Sequence, residues 1–198
     1  MIEQLRQTCR RLLEEGKVNV VIGYGQASPE QPAFPIFVTK PEDTERLVWN
    51  EQCYANLTTY LTRKDIKALG KPAIIVKGCD ERTIVVLQQE SQIDRESLYV
   101  IGVACDGVGK TPASKCLVCD VHKPRFADEV VGEASKPNAA DGRYAALDEF
   151  MKKTPAERMA YWMKEFSRCV KCYACREVCP LCYCNRCIVD KNRPAVLD

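Results

Sequence analysis

Seven cysteines near the carboxyl end of the printed sequence constrain its fold more than any other feature. Four of them, Cys169, Cys172, Cys175 and Cys179, have the spacing C-x2-C-x2-C-x3-C, and Pro180 follows directly. This is the spacing of the bacterial ferredoxin run, whose thiolates bind cubane iron–sulfur clusters. Such a segment can curl around one cluster so that three sulfurs meet three irons. The sequence therefore predicts iron–sulfur ligation here, in preference to zinc or a disulfide.

The next three cysteines, Cys182, Cys184 and Cys187, allow more than one interpretation. In two-cluster ferredoxins the fourth cysteine of the run ligates the other cluster, so Cys179 can join these three. Alternatively, the first four hold one cluster and the last three need a remote partner such as Cys53. A zinc knuckle is a third possibility. The sequence leaves all three open.

Composition excludes several classes of protein. The 198 residues suffice for one domain with a small appendage. With 29 basic and 27 acidic residues, the chain lacks the large excess of positive charge that is typical of nucleic-acid-binding proteins. No apolar run approaches the ~20 residues of a membrane span, and the charged amphipathic start lacks the apolar core of a signal peptide. Thirteen cysteines, an odd number, fit reduced thiols better than a disulfide framework. We expect a cytoplasmic protein from an anaerobic setting.

Apolar runs at residues 73–76 and 98–103 predict two buried strands, and the helical pattern between them has Asp80 as its predicted N-cap. A strand–helix–strand unit of this kind has parallel strands and a right-handed crossover. Cys79 and Cys105 follow directly after the two strands. Because the carboxyl ends of parallel strands share one edge, where α/β folds place ligands, we expect these thiols to lie close together.

Cys116 and Cys119 form a C-x2-C pair that can share one metal with Cys79 and Cys105. Four thiolates suit a cubane cluster or zinc. A neighbouring cluster in the cysteine-rich segment 169–187, called the tail below, favours the cubane cluster. The alternative is that Cys79 and Cys105 are ordinary buried thiols.

The remaining patterns complete the expected α/β fold. It has a small, partly parallel sheet with flanking helices and an irregular, cysteine-rich, ferredoxin-like C-terminal segment. Helices are predicted over residues 2–15 and 41–61, a strand at 18–22, and irregular chain over 106–146. Thr154 and Glu157 form a capping box for a helix that leads to the tail. The predicted domains are residues 1–146 and 147–198.

Other residues carry weaker signals. Cys9 and Cys53 lie in helical patterns and are predicted to be core thiols. His122, the only histidine, is predicted to be a hydrogen-bonded surface residue. Residues 104–111 formally match a relaxed phosphate loop, but the first glycine is missing and Pro112 interrupts the expected helix, so we reject that interpretation.

Three segments carry a family resemblance: K-G-C-D at residues 77–80, the stretch 92–103, and C-L-V-C at 116–119. With them the chain resembles the coenzyme F420-reducing hydrogenase and formate dehydrogenase beta-subunit family over residues 10–135. The resemblance implies an iron–sulfur flavoprotein that passes electrons between clusters and F420 through FAD, with Cys79, Cys105, Cys116 and Cys119 as cluster ligands. The tail resembles those of small iron–sulfur subunits in heterodisulfide reductase-like and formate dehydrogenase complexes.

The sequence thus predicts an electron-transfer subunit of an anaerobic redox complex, with two or three [4Fe–4S] clusters and no catalytic residues of its own. Protein subunits of a hetero-oligomer are the expected partners, docked near Cys116 and the tail. The alternatives are an FAD-containing subunit that reduces F420 or a related acceptor, and a zinc-stabilised adaptor.

Overall fold

The computed structural model describes residues 1–135 and 142–184 of the chain. Within them the helices are α1 Ile2–Glu14, α2 Lys64–Lys67, α3 Gly78–Gln89, α4 Ser114–Leu117, α5 Ala145–Met151, α6 Pro155–Phe166 and α7 Ala174–Val178. The strands are β1 Val20–Gly25, β2 Phe34–Val38, β3 Pro72–Val76, β4 Tyr99–Val103 and β5 Glu129–Val131. Short 3-10 turns cover Pro41–Arg46, Leu57–Tyr60 and Arg95–Ser97.

The five strands form one mixed sheet in the order β2-β1-β3-β4-β5. Strands β1, β3, β4 and β5 are parallel, and β2 pairs antiparallel with β1 at one edge. Ile74 faces Val100 in the register of β3 and β4. The predicted α/β class and the parallel strand–helix–strand unit are therefore confirmed.

The apolar core lies where the central strands meet the helices. Every residue of β1 is buried, as are the last four of β3 and of β4. Helix α1 contributes Leu5, Cys9 and Leu12, which are fully buried in the same cluster. Thr8 donates a 2.7 Å hydrogen bond to Glu129, and Arg11 donates a 2.6 Å bond to the same carboxylate. These bonds attach the first helix to the last strand of the sheet.

The predicted helix over residues 41–61 is wrong. Apart from the two 3-10 turns this stretch is irregular, because its apolar residues are drawn separately into the core. Leu47, Cys53 and Leu57 are all fully buried, and the Val48 amide donates to the Tyr24 carbonyl at 2.8 Å. Tertiary contacts have here overridden helical propensity.

Two further expectations need correction. Helix α3 begins at Gly78 with Lys77 as its N-cap, so Asp80 lies inside the first turn and does not cap it. The stretch 106–146, expected to be irregular, contains α4, β5 and the start of α5.

The helix that precedes the tail is confirmed. The Thr154 side chain accepts from the Glu157 amide, and the Glu157 carboxylate accepts from the Thr154 amide, which is the predicted capping box. Among the residues that the structure describes, no helix is long and apolar enough to cross a membrane. The domain division after residue 146 stays a prediction.

Candidate metal centre

Four cysteines meet at the carboxyl edge of the parallel strands. Cys79 lies in the first turn of α3, directly after β3, and Cys105 lies just beyond β4. The loop between β4 and β5 contains the short helix α4, which carries Cys116, and Cys119 lies two residues after that helix. All four side chains line one cavity, together with Lys77, Gly107, Val108, Lys115 and Val121. The topology therefore brings together the four thiols that spacing and resemblance had grouped.

The chain around Cys105 is fixed by His122. The Cys105 amide donates to the His122 carbonyl at 2.9 Å, and the His122 Nδ1 lies 2.9 Å from the Cys105 carbonyl oxygen. His122 is only 4% exposed, so its predicted surface position is wrong, although it is hydrogen-bonded. These contacts hold the segment after Cys119 beside the end of β4.

An ion-pair cluster holds the other side of the loop. Asp120, next to Cys119, accepts two 2.7 Å contacts from Arg82 of α3 and a further bond from Arg143. The loop that carries the C-x2-C pair is thus attached to the same helix that carries Cys79.

Sequence reasoning missed Lys77 as part of the cavity wall. Its side chain is 2% exposed, and its ammonium lies 2.7 Å from Asp80, 2.5 Å from the Tyr24 hydroxyl and 2.9 Å from the Ala55 carbonyl. Lysine is almost never fully buried unless it is paired. The available signal was its place in the K-G-C-D motif, directly after a buried strand.

The protonation of the thiols reflects this enclosure. Although part of Cys79 reaches solvent, burial of its sulfur raises the pKa of the thiol to about 12, and the Asp80 carboxylate adds to the rise. Burial also raises the pKa of Cys105, with a smaller contribution from Cys116 and Cys119. Metal binding at these sulfurs would therefore release protons.

The donor chemistry of the cavity fits a thiolate-ligated metal centre. The volume of the cavity is about 20 Å³, which is room for roughly one water molecule. Over residues 1–135 and 142–184, no three Cys, His, Asp or Glu side chains stand close enough to bind one metal ion. The four thiols therefore share a cavity without forming a coordination site for a single metal ion.

The cysteines of the tail lie largely at the surface. Cys169, Cys172, Cys175, Cys182 and Cys184 are exposed, and Cys179 is half-buried. Lys171 and Tyr173, on either side of Cys172, have left-handed backbones with φ of 55° and 62°, which turn the chain sharply. Cys187 lies outside the described residues.

Part of the tail contacts residues of the sheet region. A groove of about 750 Å³ is lined by Cys179, Cys182 and Cys184 on one side and by residues 59, 60 and 62–64 on the other. Tyr183 donates to Glu90 at 2.7 Å. The groove is also lined by the cations Arg63, Lys64 and Arg176 and by one carboxylate, Glu177. Arg63 pairs with Asp65 at 3.0 Å, and the lining keeps an excess of positive charge that suits an anionic group.

Cys9 and Cys53 are confirmed as core thiols. Both are fully buried within the apolar cluster, although Cys53 lies in irregular chain and not in a helix. Cys53 is not among the residues that line the groove beside the tail.

Comparison with known proteins confirms the resemblance to the beta-subunit family. The chain is similar to the F420-dependent formate dehydrogenase 1 subunit beta of Methanococcus maripaludis, with 22% identity over 91% of this chain and 72% of the relative. It is also similar to the F420-dependent formate dehydrogenase subunit beta of Methanocaldococcus jannaschii, at 21% identity with the same coverage. No family model matches the chain.

Among solved structures, the chain is similar to one from the F420-reducing [NiFe] hydrogenase complex of Methanosarcina barkeri. The identity is 14% and the TM-score 0.46, with 52% of this chain and 38% of that chain covered. A likeness this slight carries no argument about fold or function.

Proposed function

We propose that this chain is an iron–sulfur electron-transfer subunit of a hetero-oligomeric redox complex. One observation carries the proposal: four cysteines from two strand ends and one loop line a single cavity at the ligand-binding edge of the sheet. The two relatives are beta subunits of F420-dependent formate dehydrogenase, and this supports a role as an electron-transfer subunit.

In this proposal Cys79, Cys105, Cys116 and Cys119 hold one [4Fe–4S] cluster, and the tail cysteines hold one or two more. When bound, such clusters accept and release single electrons at potentials set by their surroundings. The chain supplies the thiolates and keeps them in place through the His122 and Asp120 contacts. The cationic groove beside Cys179 would offset the negative charge of a cluster in the tail.

Exposed apolar residues next to both cysteine groups support docking of partner subunits. Leu117, between Cys116 and Cys119, is 72% exposed, and Val170, between Cys169 and Cys172, is 83% exposed. Apolar side chains of this kind, placed beside redox ligands, suit surfaces that a partner covers.

The test is the metal content of the full-length chain, purified without oxygen. We expect iron and acid-labile sulfide, and we expect Cys105→Ala to lower the iron by about four atoms per chain. Cys9→Ala is the matched control, because it removes a buried thiol that lies outside the cavity.

Other results would favour the rival functions. Zinc without iron or sulfide would support the zinc-stabilised adaptor. Stoichiometric flavin, with reduction of F420 by the isolated chain, would support the FAD-containing subunit. Iron that is the same in Cys105→Ala and in the parent would show that the cavity is not a cluster site.

A further inference from the structure

Lys77 is buried to a degree that structure alone does not require. It is 1% exposed, and its ammonium is surrounded by the Tyr24 hydroxyl, the Cys53 and Ala55 carbonyls and the Asp80 carboxylate. Burying two charges is costly, and apolar residues of similar volume often stabilise a core as well as a buried ion pair does. The pair therefore calls for a reason other than packing.

Its position supplies that reason. Lys77 is in the wall of the four-cysteine cavity, whereas Asp80 is not among the residues that line it. The other cation in the wall, Lys115, is exposed, so water and salt screen its charge. Within the described residues of this wall, Lys77 is the buried, fixed positive charge.

We propose that Lys77 is a redox-tuning residue, whose buried ammonium raises the reduction potential of a cluster held by the four cysteines, while Asp80 opposes it. This inference rests on the proposed function. Reduction adds one electron from the donor subunit to the cluster, and no bond forms or breaks. A positive charge in a poorly screened interior favours the more negative, reduced state, and a carboxylate disfavours it.

The opposing charges of Lys77 and Asp80 also affect the pKa values of the cavity thiols. After burial, the Asp80 carboxylate is the next cause that raises the pKa of Cys79, and the Lys77 ammonium works against it. At Cys105, Lys77 likewise lowers a pKa that burial raises. The Cys79 thiol also donates a 3.7 Å contact to the Asp80 carboxylate. Both charges of the pair therefore act on the cavity, Asp80 more strongly at Cys79 and Lys77 at Cys105.

The test is a redox titration of the anaerobically prepared full-length chain with dithionite, followed by electron paramagnetic resonance. The signal of the cavity is identified as the one that Cys105→Ala removes. We expect Lys77→Met to lower its midpoint potential and Asp80→Asn to raise it. Lys115→Met should shift it less, and that smaller shift should fade at high salt.

Tyr24→Phe separates charge from scaffolding. It removes a hydrogen bond to the ammonium but leaves the charge in place. If Lys77 serves only to stabilise the fold, Tyr24→Phe and Lys77→Met should both lower the melting temperature. Lys77→Met and Asp80→Asn should then not shift the midpoint potential in opposite directions.

The possible results separate the tuning role of Lys77 from the proposed function. A Cys105-dependent signal with the same potential in Lys77→Met overturns the tuning role and leaves the proposed function standing. No Cys105-dependent signal in the parent refutes the proposed function and the tuning role together. If Lys77→Met loses the cluster, Asp80→Asn decides alone, and an unchanged or lower potential there counts against the inference.

Discussion

Gly78→Ala is a sensitive test of how the metal centre is assembled. Gly78 is the first residue of α3 and precedes Cys79. A Cβ at this position would lie 2.5 Å from the Val121 carbonyl oxygen and 2.4 Å from a Val121 methyl, where ordinary contacts begin at 3.4 Å. The methyl can rotate away, but the backbone oxygen cannot. The start of α3 and the segment after Cys119 must therefore separate by about 0.9 Å.

The expected sign is opposite to that from helix propensity. Replacing a helical glycine by alanine usually stabilises by roughly 0.5–1 kcal/mol. Overpacking of a tight contact costs about 1–3 kcal/mol, so we expect a net loss of about 1–2 kcal/mol. For a domain of this size that lowers the melting temperature of the metal-free chain by roughly 2–8 °C. Because the contact joins the segments that carry Cys79 and Cys119, iron at the cavity should fall as well.

Calorimetry of the metal-free chain and iron analysis of the anaerobic preparation measure the two effects. Gly16→Ala is the control: its φ of +64° makes alanine strained, but no atom lies within 4 Å of the added Cβ. It should lower the melting temperature and leave the iron unchanged. A Gly78→Ala chain with full iron and an equal or higher melting temperature would refute the reasoning.

Three further predictions concern the tail, the cavity thiols and the core. Cys172→Ser should remove or convert a cluster of the tail, because serine is a poor ligand for a soft metal site; an unchanged iron content and resonance spectrum would contradict this. In the metal-free chain, the raised pKa of Cys79, about 12, keeps its thiol neutral. Its alkylation, followed by peptide mass spectrometry, should therefore be slow at pH 8 and become faster as the pH rises towards 12. An alkylation rate that is constant from pH 8 to 11 would contradict this prediction. Leu12→Ala should cost about 2–4 kcal/mol in denaturant unfolding and leave iron bound, whereas a loss below 1 kcal/mol would be inconsistent with its full burial.

The parts of the fold that the sequence predicts well are those with a strong local signal. Strands β3 and β4 are continuous apolar runs, and the helix between them favours a parallel pairing. The sequence therefore predicts that Cys79 and Cys105 lie at the same edge of the sheet. The capping box at Thr154 was equally local. In each case one short segment contains the whole physical reason for its structure.

The missed parts depend on contacts between distant residues. Strand β5 has three residues and no apolar run; it is placed by pairing with β4 and by the bonds from Thr8 and Arg11 to Glu129. The stretch 41–61 has the apolar residues of a helix, but they fill separate places in the core. From the sequence alone Lys77 is expected at the surface, as lysines usually are. Its burial depends on Tyr24, Ala55 and Asp80, which contact its ammonium in the folded chain. No local pattern contains that information.

The separation of the two cysteine groups along the chain has a consequence for biosynthesis. Cys119 completes the first group, and Cys169 begins the second, 50 residues later. At a ribosomal rate of about 5–20 residues per second, the second group emerges roughly 3–10 s after the first. Strand β5 and its bonds to α1 fall within that interval. The first four thiols can thus be enclosed before the tail exists to compete for the same metal or to form mixed disulfides with them.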